Sequence, residues 1–111
     1  MTTKIRTALA AALTAAALVS GAGAALAGDP VGDAHVAYLN KAVFKHDSCD
    51  SLWYFRNQIF SEAGYCFKTD RAIQAFGNDG CVSGSYSILN KYERANVTML
   101  KSIEQAKGCD Y

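Results

Sequence analysis

SCDSLWYFRNQIFSEAG, residues 48–64, decides the fold of this chain. Its apolar positions recur at the i, i+3 and i+7 spacing of one helix face: Leu52, Phe55 and Ile59. Ser48 has the side chain of a good N-cap, because its hydroxyl can accept a hydrogen bond from a free backbone N–H. Gly64 can adopt positive φ without penalty and therefore favours an end there. The stretch predicts an amphipathic helix of about four turns.

Two more helices follow from capping residues. Thr69 is a good N-cap for a short helix over 70–76, and the turn-forming sequence GNDG over 77–80 ends it. Asn90 and Glu93 have capping-box spacing and open a last helix that runs to Lys107. In the short helix, the inward residues are expected to be Ile73 and Phe76. The predicted fold is all-α: a small disulfide-stapled bundle of three main helices, with a short helix around 35–44 as a candidate addition.

Residues 1–27 have the features of a secretory signal peptide. Lys4 and Arg6 give a basic start, and an Ala- and Leu-rich stretch follows over 8–19. Ala25 and Ala27 then place small residues at the −3 and −1 positions of a cleavage site. The apolar stretch is shorter than the roughly 20 residues of a spanning helix, which disfavours a transmembrane anchor. No membrane span is expected after the leader is removed.

Cleavage defines three parts of the chain: a signal peptide at 1–27, a partly flexible N-terminal segment at 28–47 and a helical domain at 48–111. Removal of 27 residues from 111 would leave 84. The formal charge would move from +1 to −1, because Lys4 and Arg6 are lost. A nearly neutral chain offers no electrostatic basis for binding nucleic acid or an anionic membrane.

All four cysteines lie after the leader, which predicts two disulfides in an exported chain. A helix of about 14 residues is about 21 Å long, and bridged Cα atoms lie within about 7 Å. A Cys49–Cys66 bond across the first helix is therefore disfavoured. Three helices that run up, down and up would pair Cys49 with Cys81 and Cys66 with Cys109, which is the preferred prediction. If the 82–89 loop reverses the last helix, the pairs become Cys49–Cys109 and Cys66–Cys81.

The stretch LWYFRNQIFSEAGYCF, residues 52–67, resembles the YARHG domain, a small bacterial domain of presumed extracellular location. Two later sequences, Phe67-Lys68-Thr69 and Gly80-Cys81, resemble the cysteine-containing branch of that family. The resemblance covers about 49–81. The residues that carry the family pattern are Arg56, Asn57, Ile59, Gly64, Tyr65 and Phe67. The Arg and His of Tyr-Ala-Arg-His-Gly are replaced by Glu62 and Ala63. The resemblance therefore implies a fold and a compartment, and no role of that Arg and His is carried over.

Three residues are candidate ligand contacts. Arg56 lies near the apolar face, where a guanidinium needs a partner, and Asp70 or the chain around 65–67 could supply one. Its main expected role is to hold the corner between the first two helices. The alternative hypothesis is that its guanidinium binds an anionic ligand. Tyr54 and Tyr86 are the aromatic residues most expected to be exposed. His35 is expected to be a solvated or capping residue.

The pattern contains no catalytic constellation, metal site or cofactor motif. The His46-x-x-Cys49 spacing lacks a second close ligand pair, and the compartment favours disulfides over zinc. The leading hypothesis is an exported, non-enzymatic binding or accessory domain of the bacterial periplasm or cell envelope. Its partner would be an envelope protein or a cell-wall glycan. The alternative is a small secreted enzyme inhibitor that uses Tyr86 and the loop over 82–89.

Overall fold

The computed structural model describes residues 28–110, so the predicted signal peptide at 1–27 lies outside the described residues. Its α-helices are α1 (Cys49–Glu62), α2 (Asp70–Phe76) and α3 (Lys91–Lys107). Single 3-10 turns occur at Lys41–Val43 and Tyr86–Ile88. Over residues 28–110 the only β-type pairing is an isolated bridge between Tyr65 and Ser83. The all-α class and the three main helices are confirmed.

Each helix begins at the cap that the sequence predicts. The Ser48 side chain accepts a 3.1 Å hydrogen bond from the Ser51 N–H, and the Thr69 hydroxyl accepts one from Ala72 N–H at 3.3 Å. At the start of α3, Asn90 accepts from the Glu93 N–H and the Glu93 carboxylate accepts from the Asn90 N–H. These bonds satisfy backbone donors that a helix terminus leaves unpaired.

The core lies between α1 and α3, which run antiparallel. Its buried members on these helices are Leu52, Ile59, Val97, Leu100 and Ile103. Burial of a Leu or Ile side chain contributes about 1.5–3 kcal/mol relative to exposure. This helix pair therefore supplies five of the nine buried residues of the core cluster, and Val31, Ala34, Phe44 and Leu89 supply the other four.

Helix α2 packs on α1 differently from the prediction. Ala72 is its buried residue, whereas Ile73 is 39% exposed, so the expected inward position of Ile73 is wrong. Phe76 is half-buried and contacts the rings of Trp53 and Tyr54 at centroid distances of 6.3 and 4.9 Å. A seven-residue helix makes fewer than two full turns of core contact, so small and aromatic side chains decide its orientation.

The preferred disulfide pairing, Cys49–Cys81 with Cys66–Cys109, is wrong. The bonds join Cys49 to Cys109 and Cys66 to Cys81, which is the alternative pairing. The preferred pairing assumed that each helix runs the length of a bundle. Helix α2 is too short for this, and α3 therefore begins at the end of the molecule where α1 ends.

After α1 the chain runs out through α2 and returns beside the end of α1 before α3 begins. The Cys66 N–H donates to the Ser83 carbonyl at 2.8 Å. Asn78 accepts from the Phe67 N–H at 2.7 Å and donates to the Phe67 carbonyl at 3.1 Å. These bonds bring Cys81 beside Cys66. The path of this segment, rather than the helix count, determines which cysteines meet.

The N-terminal segment is held against the bundle and does not form the expected helix around 35–44. Asn96 on α3 is buried and accepts from the Leu39 N–H at 2.8 Å. Its amide nitrogen donates to the carbonyls of Ala34 and Ala37 at 3.0 and 2.9 Å. In a helix these backbone groups would pair with one another, but here they bind the Asn96 side chain. Phe44, further along the segment, is part of the core.

Candidate functional site

Arg56 and Glu104 form an ion pair between α1 and α3. Arg56 Nε lies 2.5 Å from Glu104 Oε1, and Nη2 lies 3.2 Å from Oε2. Glu104 is fully buried, and the Arg56 side chain is 13% exposed. Arg56 follows Leu52 by one turn on α1, and Glu104 follows Leu100 by one turn on α3, so both charges sit on the apolar faces. Arg56 therefore clamps α1 to α3, and not the α1–α2 corner that the sequence suggested.

A cleft opens above this ion pair and encloses about 450 Å³. Arg56 and Phe60 line it from α1, Tyr86 from the 3-10 turn, and Lys101 and Gln105 from α3. Its volume is within the range of small-molecule sites. We call it the first cleft.

A second cleft of about 300 Å³ lies on the other side of the same two α1 residues. Arg56 and Phe60 line it together with Tyr65, Lys68 and Thr69. Because Arg56 and Phe60 belong to both clefts, the two clefts are adjacent subsites of one surface.

The structure brings together two of the three candidate ligand contacts. Arg56 and Tyr86 line the first cleft. Tyr54 lines neither cleft and instead packs on Phe76, although Tyr54 and Tyr86 are equally exposed at 46%. Exposure of Tyr54 and Tyr86 is as predicted, but only Tyr86 is placed to meet a ligand beside Arg56.

Arg94 holds the exposed Tyr86 turn in place. Its Nε donates to the Leu89 carbonyl at 2.9 Å, and Nη2 donates to the Ser87 carbonyl at 3.4 Å. The guanidinium carbon lies 6.0 Å from the centroid of the Tyr86 ring, at the outer limit of a cation–π contact. A side chain that is both exposed and held in place binds a ligand with little loss of conformational freedom.

A second polar cluster was missed by the sequence analysis. His35 lies between two carboxylates: Nε2 is 2.8 Å from Glu62 Oε1, and Nδ1 contacts Glu93 Oε2. Burial by itself lowers the pKa of His35, but the hydrogen bonds and negative charges of Glu62 and Glu93 outweigh it and raise the pKa above its ordinary value. His35 therefore fastens the N-terminal segment to both long helices, a role that the expectation of a solvated or capping residue did not include.

In residues 28–110 all four cysteines are in disulfides, and no three His, Cys, Asp or Glu side chains come together as metal ligands. Within the same part of the chain, none of the helices has the length and apolar character needed to cross a bilayer. The side chains that line the clefts carry aromatic rings, hydroxyls, amides and cationic groups.

A family model described as the YARHG domain matches residues 31–105. The chain belongs to the YARHG domain family. The match begins 17 residues before the predicted domain boundary at 48, so most of the N-terminal segment is part of the YARHG domain. Two disulfides agree with the cysteine-containing branch that the sequence resembles. No curated protein and no solved structure matched the chain.

The YARHG pattern residues mainly shape the corner after α1. Asn57 is buried and donates to the Trp53 carbonyl at 2.9 Å, and Ile59 is in the core. Gly64 has φ of 92°, and a Cβ there would lie 3.1 Å from Val82 Cγ2. Beyond this corner, Tyr65 and Phe67 continue the aromatic packing, with ring centroids 5.5 Å apart. These residues thus form the turn that places the second cleft beside the first.

Proposed function

We propose that this YARHG domain is a non-enzymatic binding module of the bacterial periplasm or cell envelope. Its ligand site is the first cleft, between α1, α3 and the Tyr86 turn. The observation that carries the proposal is the placement of Tyr86, an exposed aromatic side chain held beside Arg56 over a concave surface. Ordered aromatic side chains beside Arg are typical anchors of binding sites.

The compartment is inferred from the disulfides and the leader features together. Two disulfides persist in oxidising environments, which include the periplasm and the cell exterior. Residues 1–27 have the composition of a secretory leader. The YARHG family, described as a domain of presumed extracellular location, fits the same compartment.

The chemistry around the cleft favours recognition over catalysis. The four cysteines are in disulfides, and both ring nitrogens of His35 face carboxylates away from the cleft. The Ser102 hydroxyl, which lines the cleft, donates to the Met99 carbonyl of its own helix at 2.6 Å. A nucleophilic hydroxyl needs a base beside it, whereas this one is bound to its own helix.

A retention experiment tests the proposal, with an envelope protein or a cell-wall glycan as the partner. The oxidised domain is immobilised and exposed to envelope extract and, separately, to purified peptidoglycan. We expect specific retention that Tyr86→Ala abolishes and Tyr54→Ala leaves intact, because these tyrosines are equally exposed and only Tyr86 lines the cleft. Equal losses in the two variants, or no specific retention by the wild type, would contradict the proposal.

One observation favours an enzyme inhibitor as the second candidate function. Val82 is 76% exposed on a loop that the Cys66–Cys81 disulfide holds at its base, and Lys68 Nζ donates to the Gly84 carbonyl at 3.0 Å. Constrained, exposed loops bind with a small entropic cost. An inhibitor would use Tyr86 together with the loop over 82–89, so Val82→Ser, which changes the loop and not the first cleft, separates the functions: it would abolish inhibition and leave retention through the cleft unchanged.

A further inference from the structure

An aromatic platform joins the two clefts. It consists of Tyr65, Phe60 and Tyr86, with centroid distances of 4.9 Å between the first two rings and 5.9 Å between the last two. Tyr65 lines the second cleft, Tyr86 lines the first, and Phe60 lines both. A ligand that spans both clefts would therefore pass over a continuous row of rings.

Polar groups lie along this platform at both of its ends. The first cleft has Thr98, Lys101 and Gln105, and the second has Lys68 and Thr69. Hydroxyl and amide groups both donate and accept hydrogen bonds, while ammonium groups donate. Each cleft thus combines an aromatic surface with side chains that can bind hydroxyl oxygens.

This combination matches the chemistry of a sugar ring. A pyranose has an apolar face of C–H groups, which packs on an aromatic ring, and an edge of hydroxyls, which needs mixed donors and acceptors. A proline-rich peptide also packs on aromatic grooves, but its proline residues offer carbonyl acceptors and no N–H donors. The hydroxyls of Thr69 and Thr98 and the amide of Gln105 suit hydroxyl partners better than carbonyls alone.

We propose that the two clefts form one groove for a carbohydrate chain of at least two sugar units, with one unit over each cleft. This inference rests on the proposed binding function and specifies its ligand class. Tyr86 supports the unit in the first cleft, and Tyr65 supports the unit in the second. Phe60 supports the linkage between the two units.

The test is a titration of the oxidised domain with oligomers of N-acetylglucosamine and of galacturonic acid, each from one to four units long. We expect at least one series to bind, with an affinity that rises from one unit to two or three. Tyr86→Ala is expected to weaken binding about tenfold, which corresponds to about 1.4 kcal/mol. Tyr86→Phe should retain binding because the ring is kept, and Tyr54→Ala should match the wild type.

Two variants address the second cleft. Tyr65→Ala should remove the gain in affinity between one unit and longer chains. Because Tyr65 also packs on Phe60 and Phe67, its thermal unfolding is compared with that of the wild type. Lys68→Ala changes an exposed side chain of the same cleft and should reduce the length dependence in a protein that folds normally.

A proline-rich peptide serves as the competing probe. If that peptide binds through Tyr86 and neither sugar series does, the carbohydrate inference is wrong while the binding-module proposal stands. If a sugar series binds equally well to wild type and Tyr86→Ala, the inference is also wrong, because the groove is then not the site. If neither the sugars, the peptide nor the envelope material depends on Tyr86, both proposals fail.

Discussion

The two ends of the α1–α3 pair are fastened by different chemistry. Towards one end, the Arg56–Glu104 ion pair is followed by the Cys49–Cys109 disulfide. At the other end, His35 lies between Glu62 and Glu93. The first end has a covalent bond and a buried ion pair, whereas the second depends on an imidazole whose charge changes with pH.

Because the chemistry differs, a disulfide bond and a histidine contact respond to different conditions. The Cys49–Cys109 bond is opened by reduction. The histidine fastening itself contains no disulfide, although Cys66–Cys81 lies shortly after the end of α1, and it loses its charge as the pH rises. Substitution of Cys49 and Cys109, or of His35, can therefore weaken one fastening at a time.

The largest expected effect is at the ion pair. Arg56→Ala should lower the free energy of unfolding by about 3–5 kcal/mol, because it leaves the fully buried Glu104 carboxylate unpaired. Urea unfolding measures the loss. The double variant Arg56→Met/Glu104→Leu is the control and should lose much less, since no buried charge is left. Equal losses in the single and double variants would show that packing, and not charge, dominates there.

The next effect is at the disulfides. Cys49→Ser/Cys109→Ser should cost about 2–4 kcal/mol, mainly because the unfolded chain gains freedom. The matched control is Cys66→Ser/Cys81→Ser, which opens a loop with a sequence separation of 15 instead of 60 and should cost less. Both are compared by urea unfolding without reductant. A larger loss in the 66–81 variant would mean that its closed segment contributes more than chain entropy.

The smallest effect is at His35, since partly exposed ion pairs contribute about 0–1 kcal/mol. Its pKa is raised in the folded state, so this contribution is complete below the unfolded value of about 6.5 and is lost as the pH rises through the folded pKa. The unfolding midpoint of the wild type should fall across this range. His35→Gln should flatten the profile, whereas His46→Gln, at the other histidine, should keep it. If the unfolding midpoint of His35→Gln depends on pH as steeply as that of the wild type, the contacts of His35 with Glu62 and Glu93 are not the cause of the pH dependence.

Local features of the fold could be predicted from sequence, because a helix start depends on residues within one turn. Ser48, Thr69 and the Asn90–Glu93 pair each cap the expected helix. The exposure of Tyr54 and Tyr86 was also predictable, from their positions off the apolar faces. These predictions needed no knowledge of how distant segments meet.

The missed features all depend on contacts between distant segments. The disulfide pairing follows from the return path of the chain after Phe67, which no local pattern specifies. In place of the helix expected around 35–44, this segment forms hydrogen bonds with Asn96, which lies about 60 positions later in the chain. One signal was available: Glu104 lies one turn after Leu100 on the apolar face of α3, and a charge there requires a partner such as Arg56.

The disulfides form nested rings. The 66–81 ring lies within the 49–109 ring, and every residue that lines either cleft lies inside the outer ring. A protease that cuts the backbone once between Cys49 and Cys109 therefore cannot separate the two fragments while the outer bond is intact. A nicked molecule would keep the residues of both clefts in one covalent unit.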